Sequence, residues 1–325
     1  MKTYKPLFQW FGAKARVASV VWTRLGDVDH YVEPFFGSGA VYFLAPKKHK
    51  KATINDVDCY IVNFFRTLKN EPFRLAKEVM YCSVAQAEMR ARHYELTAKR
   101  SLITSKIQGD PEYYNLKYAA WWVYTLSAWI AGHFTENKGV WTSINGFWCF
   151  DDKGIGEYHV YNQAPQLTSR NGIVKYFNES YIENVIDIYK MMLDYRDMLV
   201  PARIICSDWK DAVRDAILRN DKSVGIFLDP PYDQRLLEEA LYIKHGTVSS
   251  EVRDWAVENG NKYRIALCGY EGEHEMPPDW EVYAWTATGG YSNMGGRNTN
   301  RFRERIWFSP QCIKVKEIGD GKFDF

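Results

Sequence analysis

A carboxylate, two prolines and a tyrosine stand directly after an apolar, strand-like run in the segment "GIFLDPPYDQR", as Asp229, Pro230, Pro231 and Tyr232. Prolines at this place end a strand, remove two backbone donors and stiffen the loop. Backbone carbonyls and the Asp229 carboxylate are then acceptors beside the flat face of Tyr232. This combination suits a planar group with an exocyclic amino group, such as adenine or cytosine. The structural alternative is a Pro-rich turn capped by Asp229.

Two glycines follow an earlier apolar run in "EPFFGSGA", at Gly37 and Gly39. They let the backbone turn tightly and approach a ligand closely. A helix that begins there presents free N–H groups and a positive dipole end. A Gly-x-Gly pair is also common in ordinary turns, and the longer Gly-x-Gly-x-x-Gly pattern is absent. The pair alone therefore leaves a ligand loop and a structural turn equally open.

Two further strand-like runs end on carboxylates, "INDVD" on Asp56 and "CSDW" on Asp208. Asp56 could accept hydrogen bonds from both hydroxyls of a ribose. Asp208 could accept one from an adenine amino group, or cap the helix predicted at 210–218. Lys14 could place a cation at a carboxylate or phosphate, although an ordinary surface lysine is the simpler interpretation.

The elements that must position these residues are strands alternating with helices, at residues 30–58 and again from 202 onward. This alternation predicts a mostly parallel sheet with helices on both faces. Ligands bind at the carboxyl ends of strands in such sheets, near the point where strand order reverses. The last two runs, "WEVYAWTA" and "RERIWFS", have no helix between them, which predicts an antiparallel pair at the edge.

The middle of the chain has a different pattern, with apolar residues at three- and four-residue intervals that predict helices. Polar, Gly- and Asn-rich stretches between these helices predict loops and small hairpins. The expected organisation is one α/β domain, residues 1–66 and 197–325, that is split by a mainly helical insert, residues 67–196.

Composition excludes several classes of protein. The 325 residues carry a net charge of +2, so nucleic-acid binding would need a local basic face. No apolar stretch approaches the roughly 20 residues that a membrane helix requires, and the N-terminus lacks the apolar core of a signal peptide. Six scattered cysteines without a Cys-x-x-Cys pair indicate reduced thiols in the cytoplasm rather than a zinc site.

Six motifs occur in an order that resembles the Dam-type (D12 class) DNA adenine-N6 methyltransferases, especially phage-encoded members. They are "QWFGAKARV", "YVEPFFGSGAVYF", "INDVD", "CSDW", "FLDPPYD" and "NRFRERIWFSP". The resemblance covers almost the whole chain and is loosest in the insert. It implies a class I S-adenosylmethionine (SAM)-dependent methyltransferase fold, with a Rossmann-like sheet and an insert that recognises the target sequence.

The resemblance also implies roles for single residues, with SAM as methyl donor and without a metal. Asp56 would accept the ribose hydroxyls of SAM and Asp208 its adenine amino group. The donor site would be lined by Trp10, Lys14, Phe35, Gly37, Gly39 and Asp229, and the catalytic loop would be formed by Asp229, Pro230, Pro231 and Tyr232.

The implied mechanism is direct methyl transfer to a base flipped out of duplex DNA. Hydrogen bonds from the adenine amino group to the Asp229 carboxylate and the Pro230 carbonyl would stabilise the positive charge of the transition state. Tyr232 would stack on the flipped base. Alignment of nitrogen, methyl carbon and sulfur would supply the other main contribution.

Two alternatives stay open at this point. Cytosine-N4 methylation needs the same amino-group chemistry, and a SAM- and DNA-binding module without catalysis is a different class of protein. Cytosine-C5 methylation fits poorly, because none of the cysteines follows a proline. The expected partner is double-stranded DNA, in the cytoplasm of a bacterial or phage-infected cell. A monomer or weak dimer is expected, and a paired restriction enzyme is left open.

Contacts with DNA are predicted from two stretches. Asn137 and Lys138, in the loop 131–141, can donate to base edges in a groove. Arg297 and Arg301, in the Gly- and Asn-rich stretch 289–305, are expected at phosphates. The basic stretches 46–51 and 90–100 are interpreted as solvated surface instead.

Overall fold

The computed structural model describes residues 7–8, 10, 12–82, 86–128, 140–144, 147–151, 181–232, 248–286 and 302–315. The chain forms two compact units. The first unit contains residues 1–13, 36–43 and 55–208, and the second contains residues 14–35, 44–54 and 209–325. The first unit thus includes the whole of the predicted insert, whose boundaries at 67 and 196 stay a prediction.

The described part of the chain contains helices and strands in alternation at both ends of the sequence and mostly helices between them. The described helices, after a 3-10 turn at Ala15–Val17, are α1 (Ala18–Leu25), α2 (Ala40–Phe43), α3 (Cys59–Asn70), α4 (Pro72–Met80), α5 (Gln86–Gly109), α6 (Leu116–Ala128), α7 (Tyr181–Leu199), α8 (Trp209–Ala212), α9 (Asp215–Leu218) and α10 (Val248–Asn259). The described strands are β1 (His30–Glu33), β2 (Ala52–Asn55), β3 (Val140–Ile144), β4 (Phe147–Asp151), β5 (Ala202–Ile205), β6 (Val224–Leu228), β7 (Arg264–Tyr270), β8 (Glu281–Ala284) and β9 (Glu304–Phe308).

The main sheet has seven strands, and six of them belong wholly or almost wholly to the second unit in the order β2-β1-β6-β7-β9-β8. Strands β2, β1, β6 and β7 are parallel, whereas β9 is antiparallel to both β7 and β8. The seventh strand, β5, lies in the first unit. The mostly parallel sheet with an antiparallel edge is therefore confirmed. The sequence pattern did not show that β9 lies between β7 and β8.

Burial explains the composition of these strands. Every residue of β6 is buried, as expected for a parallel strand that is covered on both faces. Strand β8 instead alternates half-buried and exposed residues, which is typical of a strand at the edge of a sheet. The polar residues of β1 are buried with partners. The His30 ring lies 2.9 Å from both the Asp221 carboxylate and the Thr53 hydroxyl, so its burial does not leave polar atoms unsatisfied.

The described residues of the first unit are mainly helical. Helix α3 begins after Asp58, whose carboxylate accepts a 2.8 Å hydrogen bond from the Tyr60 N–H, and α4 begins at Pro72. Helix α4 packs against α7, and α3 against α6. Strands β3 and β4 pair as an antiparallel hairpin, which confirms a hairpin in the stretch after α6.

One helix differs from its prediction. The stretch predicted as a single helix, 210–218, contains two short helices, α8 and α9. Arg214 separates them with an extended backbone, φ −63° and ψ 144°, so the helical hydrogen-bond ladder is interrupted there. Within the described residues no helix has the length and apolar character needed to cross a membrane.

A buried arginine ties several segments of the first unit together. The Arg66 guanidinium is 5% exposed and donates to four backbone carbonyl oxygens at distances between 2.9 and 3.3 Å, those of Ile107, Asp110, Tyr113 and Ile204. Helix α3 is thereby connected to β5 and to the segment after α5. The guanidinium thus supplies donors to carbonyl groups at the end of a helix, in a turn and on a strand.

Substitution Arg66→Met should lower the free energy of unfolding by roughly 3 kcal/mol, because four backbone carbonyl groups each lose a hydrogen-bond donor. Urea denaturation would measure the change. The matched control is Arg74→Met, since the Arg74 side chain is 66% exposed and pairs with Glu71 at the surface. That variant should differ from the wild type by less than about 0.5 kcal/mol. Equal stability of the two variants would contradict the role of Arg66.

Candidate active site

Sheet topology brings acidic and aromatic side chains to one edge of the second unit. Asp229 follows the carboxyl end of β6, and Tyr270 ends the neighbouring parallel strand β7. Strand β9 runs in the opposite direction, so its first residue, Glu304, pairs in register with Tyr270. The carboxyl ends of two parallel strands and the amino end of an antiparallel strand thus lie at one edge. The Asp229 cluster is defined here as Lys14, Asp229, Tyr232, Cys268, Tyr270 and Glu304.

A salt bridge lies at the centre of the Asp229 cluster. The Lys14 Nζ lies 2.9 Å from one oxygen of the Asp229 carboxylate and 3.0 Å from the other. Lys14 is only 4% exposed and the Asp229 side chain 20%. The surface position that composition alone favours for Lys14 is therefore wrong. A lysine this deeply buried requires a charged partner, because an unpaired buried ammonium would cost several kcal/mol.

Tyr232 connects two carboxylates through its hydroxyl. The Tyr232 oxygen lies 3.0 Å from Asp229 Oδ1 and 3.2 Å from Glu304 Oε2. Its ring meets that of Tyr270 edge-to-face at 4.7 Å, and the Lys14 Nζ lies 5.1 Å from the ring centroid. Pro230 is buried and Pro231 is exposed. The catalytic loop predicted from the sequence is thus anchored at its first and last residues.

Burial and nearby charges shift the pKa values of four groups in the cluster, those of Lys14, Glu304, Tyr232 and Cys268. Burial opposes the charged form of Lys14, but the Asp229 carboxylate together with Cys268 and Glu304 outweighs this effect, and the pKa of Lys14 is raised. Burial also raises the pKa of Glu304, against the opposing influence of Lys14. It raises the pKa of the Tyr232 hydroxyl and of the neighbouring Cys268 thiol as well. Both groups are therefore neutral near pH 7, and Cys268 is no thiolate nucleophile.

A second group of predicted residues meets in the first unit. The Gly37 N–H donates a 2.8 Å hydrogen bond to the Asp56 carboxylate, whose other oxygen accepts from the Asp58 N–H at 2.9 Å. The Asn55 side chain exchanges two hydrogen bonds with the backbone of Ser207, at 3.0 and 3.1 Å. The loop after β2 therefore holds both the glycine loop and the loop that precedes Asp208. The glycine-loop cluster is defined here as Trp10, Gly37, Gly39 and Asp56.

The two glycines of this cluster are required by their backbone conformations. Gly37 has φ +48° and Gly39 has φ +66°, which side-chain-bearing residues rarely adopt. A Cβ atom at Gly37 would lie 2.6 Å from the Trp10 Nε1, and one at Gly39 would lie 2.4 Å from the Phe36 ring. Trp10 thus packs directly on the glycine loop. Both the backbone angles and the packing of neighbouring rings therefore require glycine at these two positions.

Asp56 has an unusual protonation equilibrium. Burial raises its pKa to about 7, and the nearby Asp58 carboxylate acts in the same direction, whereas the backbone N–H groups of Gly37 and Asp58 favour the anion. Asp56 is thus poised between an acceptor-only carboxylate and a carboxylic acid near neutral pH.

The remaining predicted donor-site residues lie at the surface or in the second unit. Asp208 is exposed, directly before α8. Phe35 is half-buried and stacks on Trp209, with ring centroids 6.2 Å apart, and Trp209 contacts Trp255 edge-to-face. Within the described residues, no group of three or more His, Cys, Asp or Glu side chains is arranged to hold a metal ion.

Four residues were predicted from the sequence to contact DNA. Asn137, Lys138, Arg297 and Arg301 lie outside the described residues. The stretch 46–51 is exposed except for His49, which packs on Tyr31 and Trp22, and its lysines form salt bridges. The stretch 90–100 is not a fully solvated helix face, because Arg92 is buried and His93 is only 3% exposed. Arg92 pairs with Glu88 one helical turn earlier, which allows its burial.

Sequence analysis missed Glu304, Cys268 and Tyr270. Glu304 stands between two arginines in "RERIWFS", a pattern typical of a solvated strand end. The available signal was topological. An antiparallel strand begins at the edge where its parallel neighbours end, so once β9 is known to pair with β7 its first residue is expected near the end of β7.

The chain is similar to known DNA methyltransferases. Residues 10–128 match the family model of D12 class N6 adenine-specific DNA methyltransferases. Type II methyltransferase M.MjaIII of Methanocaldococcus jannaschii is 24% identical over 241 residues, 70% of this chain and 69% of that protein.

Two shorter matches cover 22% of this chain each. Type II methyltransferase M1.LlaDCHI of Lactococcus lactis subsp. cremoris is 34% identical over 73 residues, 25% of its length. The DNA N-6-adenine-methyltransferase of Escherichia phage P1 is 32% identical over 71 residues, 9% of its length.

Proposed function

We propose that this chain, which carries a D12 class N6 adenine-specific DNA methyltransferase domain over residues 10–128, transfers a methyl group from SAM to the N6 amino group of adenine in DNA. The observation that carries the proposal is the Asp229 cluster, in which the Asp-Pro-Pro-Tyr loop follows a buried parallel strand and is anchored by a buried lysine. The family match favours adenine N6 over cytosine N4, which would use the same acceptors.

The glycine-loop cluster has the chemistry that SAM requires. Asp56 offers carboxylate oxygens to ribose hydroxyls, and its bond to Gly37 fixes where they lie. The positive φ angles of Gly37 and Gly39 allow close backbone approach to a ligand. Phe35, Lys14 and Asp208 complete the proposed donor-binding set. When bound, SAM supplies a methyl group on a sulfonium whose leaving group is a neutral thioether.

Asp229 and the Pro230 carbonyl would bind the two hydrogens of the adenine amino group. Both acceptors favour the charge that develops on nitrogen during transfer, so they act more strongly on the transition state than on the ground state. Lys14 holds the Asp229 carboxylate through both of its oxygens. Its salt bridge fixes the direction in which the carboxylate lone pairs point, which avoids reorganisation during the reaction.

Tyr232 is the proposed stacking partner of the flipped base. Its hydroxyl is held by Asp229 and Glu304, so the ring is fixed beside the acceptor groups. A pre-positioned ring loses little conformational entropy when a base stacks on it. Base–aromatic stacking is worth about 1–3 kcal/mol, which helps to offset the cost of unpairing the base.

Substitution Asp229→Ala should reduce methyl transfer by a factor of roughly 100 or more, because the acceptor acts on the amino group as it reacts. Transfer of tritiated methyl groups from SAM to unmodified DNA would measure the rate. The control is Asp254→Ala, since the Asp254 side chain is 70% exposed on α10, and it should keep wild-type activity. Near-normal turnover of Asp229→Ala would refute the mechanism. Failure of the wild type to methylate DNA would refute the function itself.

Substitution Asp56→Ala should weaken SAM binding by about 1.5–3 kcal/mol, because it removes charged hydrogen bonds to the ribose. Since the pKa of Asp56 is about 7, wild-type affinity should rise as pH increases through that value and the carboxylate becomes charged. Asp56→Ala should lack this rise. Calorimetry at several pH values would measure both effects, with Asp187→Ala, exposed on α7, as control. A folded Asp56→Ala protein with unchanged affinity would exclude this role.

Target recognition is proposed for the insert, residues 67–196, because the residues assigned to SAM and catalysis lie outside it. Substitution Asn137→Ala or Lys138→Ala should change DNA recognition and leave SAM affinity intact. Loss of a base contact should cost roughly 1–3 kcal/mol and relax the preference at one base position. Loss of a phosphate contact should weaken binding to all sequences and flatten its salt dependence.

Methylome sequencing and salt titrations of the two variants separate these outcomes. Arg297→Ala and Arg301→Ala provide the comparison, because both residues are proposed at phosphates and should change only affinity and salt slope. If Asn137 and Lys138 change neither site choice nor affinity, the loop 131–141 is only a connection.

A further inference from the structure

One hydroxyl lies between two carboxylates in the Asp229 cluster. The Tyr232 oxygen is 3.0 Å from Asp229 Oδ1 and 3.2 Å from Glu304 Oε2. A phenol carries a single O–H proton and can also accept a hydrogen bond through its oxygen. Tyr232 can therefore donate to one carboxylate at a time. It accepts from the other only when that carboxylate holds a proton. The three groups form a continuous chain along which a proton can pass.

The two carboxylates differ in their surroundings. Lys14 forms a salt bridge with both oxygens of Asp229, and its charge also acts on Glu304. Glu304 is 8% exposed, at the start of β9. Burial raises the pKa of Glu304 and so favours a proton on that carboxyl group, whereas Asp229 is held in its salt bridge with Lys14. Proton transfer through the Tyr232 hydroxyl is thus favoured from Asp229 toward Glu304.

Methyl transfer to an amino group, on which this inference rests as part of the proposed function, leaves a surplus proton on the nitrogen. Asp229 is the proposed hydrogen-bond partner of that nitrogen, but the positive charge of Lys14 compensates its negative charge. We infer that Glu304 is the acceptor of this proton and receives it from Asp229 through the Tyr232 hydroxyl.

The transfer balances in three steps. The N6 lone pair forms the new N–C bond while the S–C bond breaks and its electron pair stays on sulfur. The N6–H bond then breaks and an O–H bond forms on Asp229. Asp229 passes this proton to the Tyr232 oxygen as the Tyr232 O–H proton moves to Glu304. Asp229 and Tyr232 are thereby restored, and Glu304 releases the proton to water before the next cycle.

Several other titratable or charged groups act on Glu304 or lie close to it. Lys14 and Asp229 act on it from one side, and Glu273, in the turn after β7, acts on it from another. Tyr270 lies opposite Glu304 on β7, near Arg303, and Cys268 lies on the same strand. Burial raises the pKas of Tyr270 and Cys268, so both stay neutral near pH 7. Among these groups, burial and hydrogen bonding together mark Glu304 as the proton acceptor.

The pH dependence follows with a definite sign. Glu304 must be deprotonated at the start of each cycle in order to accept a proton. Burial raises the pKa of Glu304 above its ordinary value, so methylation should increase with pH through that raised value. A variant without a titrating group at this position should lose this part of the pH profile.

Substitution Glu304→Gln tests the inference. Glutamine keeps the size of the side chain and can hydrogen-bond the Tyr232 hydroxyl, but it cannot take up a proton near neutral pH. Steady-state methylation of DNA by the full chain should fall by roughly tenfold or more, and the rise with pH should flatten. SAM and DNA affinities should be unchanged, because no atom that contacts either ligand is removed.

Substitution Tyr232→Phe provides a second, independent test, since it removes the hydroxyl and keeps the ring. Its loss of rate and its pH profile should resemble those of Glu304→Gln. The double variant should be no slower than the slower single variant, because both substitutions interrupt one chain. If Glu304→Gln fails to fold, Tyr232→Phe still supplies the pH profile that decides the question.

The matched control is Glu271→Gln, which removes the same charge close by. Glu271 is 62% exposed and pairs with Arg305 at 2.8 Å, so this variant should keep the wild-type rate and pH profile. A Glu304→Gln protein with the wild-type rate and pH profile, or additive losses in the double variant, would overturn the inference while wild-type methylation upholds the proposed function. A wild type that does not methylate DNA would refute the proposed function, and the inference with it.

Discussion

The salt bridge between Lys14 and Asp229 determines the chemistry of the second unit. A lysine that is 4% exposed is tolerated only because both oxygens of a carboxylate compensate its charge. The same contact fixes the first residue of the Asp-Pro-Pro-Tyr loop. Loss of either partner would leave the other charge buried and unpaired, so the geometry of the loop and the stability of this region depend on one interaction.

Tyr232 extends this arrangement to β9. Its hydroxyl lies between Asp229 and Glu304, and its ring packs on Tyr270. The cluster thus includes both ends of the catalytic loop and two neighbouring strands. Two carboxylates and one ammonium within a partly buried region leave a formal excess of negative charge when both acids are ionised. Proton uptake by Glu304 removes that excess, which connects the packing of the cluster to its proposed chemistry.

The glycine-loop cluster of the first unit depends on a different kind of interaction. Its carboxylate, Asp56, accepts backbone N–H groups and has no buried cation as partner among its described contacts. Desolvation therefore dominates and raises its pKa to about 7. Asp229 is compensated by a lysine, whereas Asp56 is compensated by dipoles. The two proposed roles agree with this difference, because a ribose brings its own donors and a reacting amino group requires a fixed acceptor.

The sequence alone determined the kinds of elements and the chemistry at their ends. Local patterns sufficed for this, because strand and helix periodicities and turn residues act over a few positions. The strand ends at Asp56 and Asp229 and the antiparallel pairing of the last two strands were predicted in this way. Only the tertiary structure decided that β9 lies beside β7, that Lys14 is buried against Asp229, and that Glu304 meets Tyr232. The Glu304–Tyr232 and Lys14–Asp229 contacts join residues 72 and 215 positions apart, and such contacts depend on strand order and burial, which no local pattern encodes.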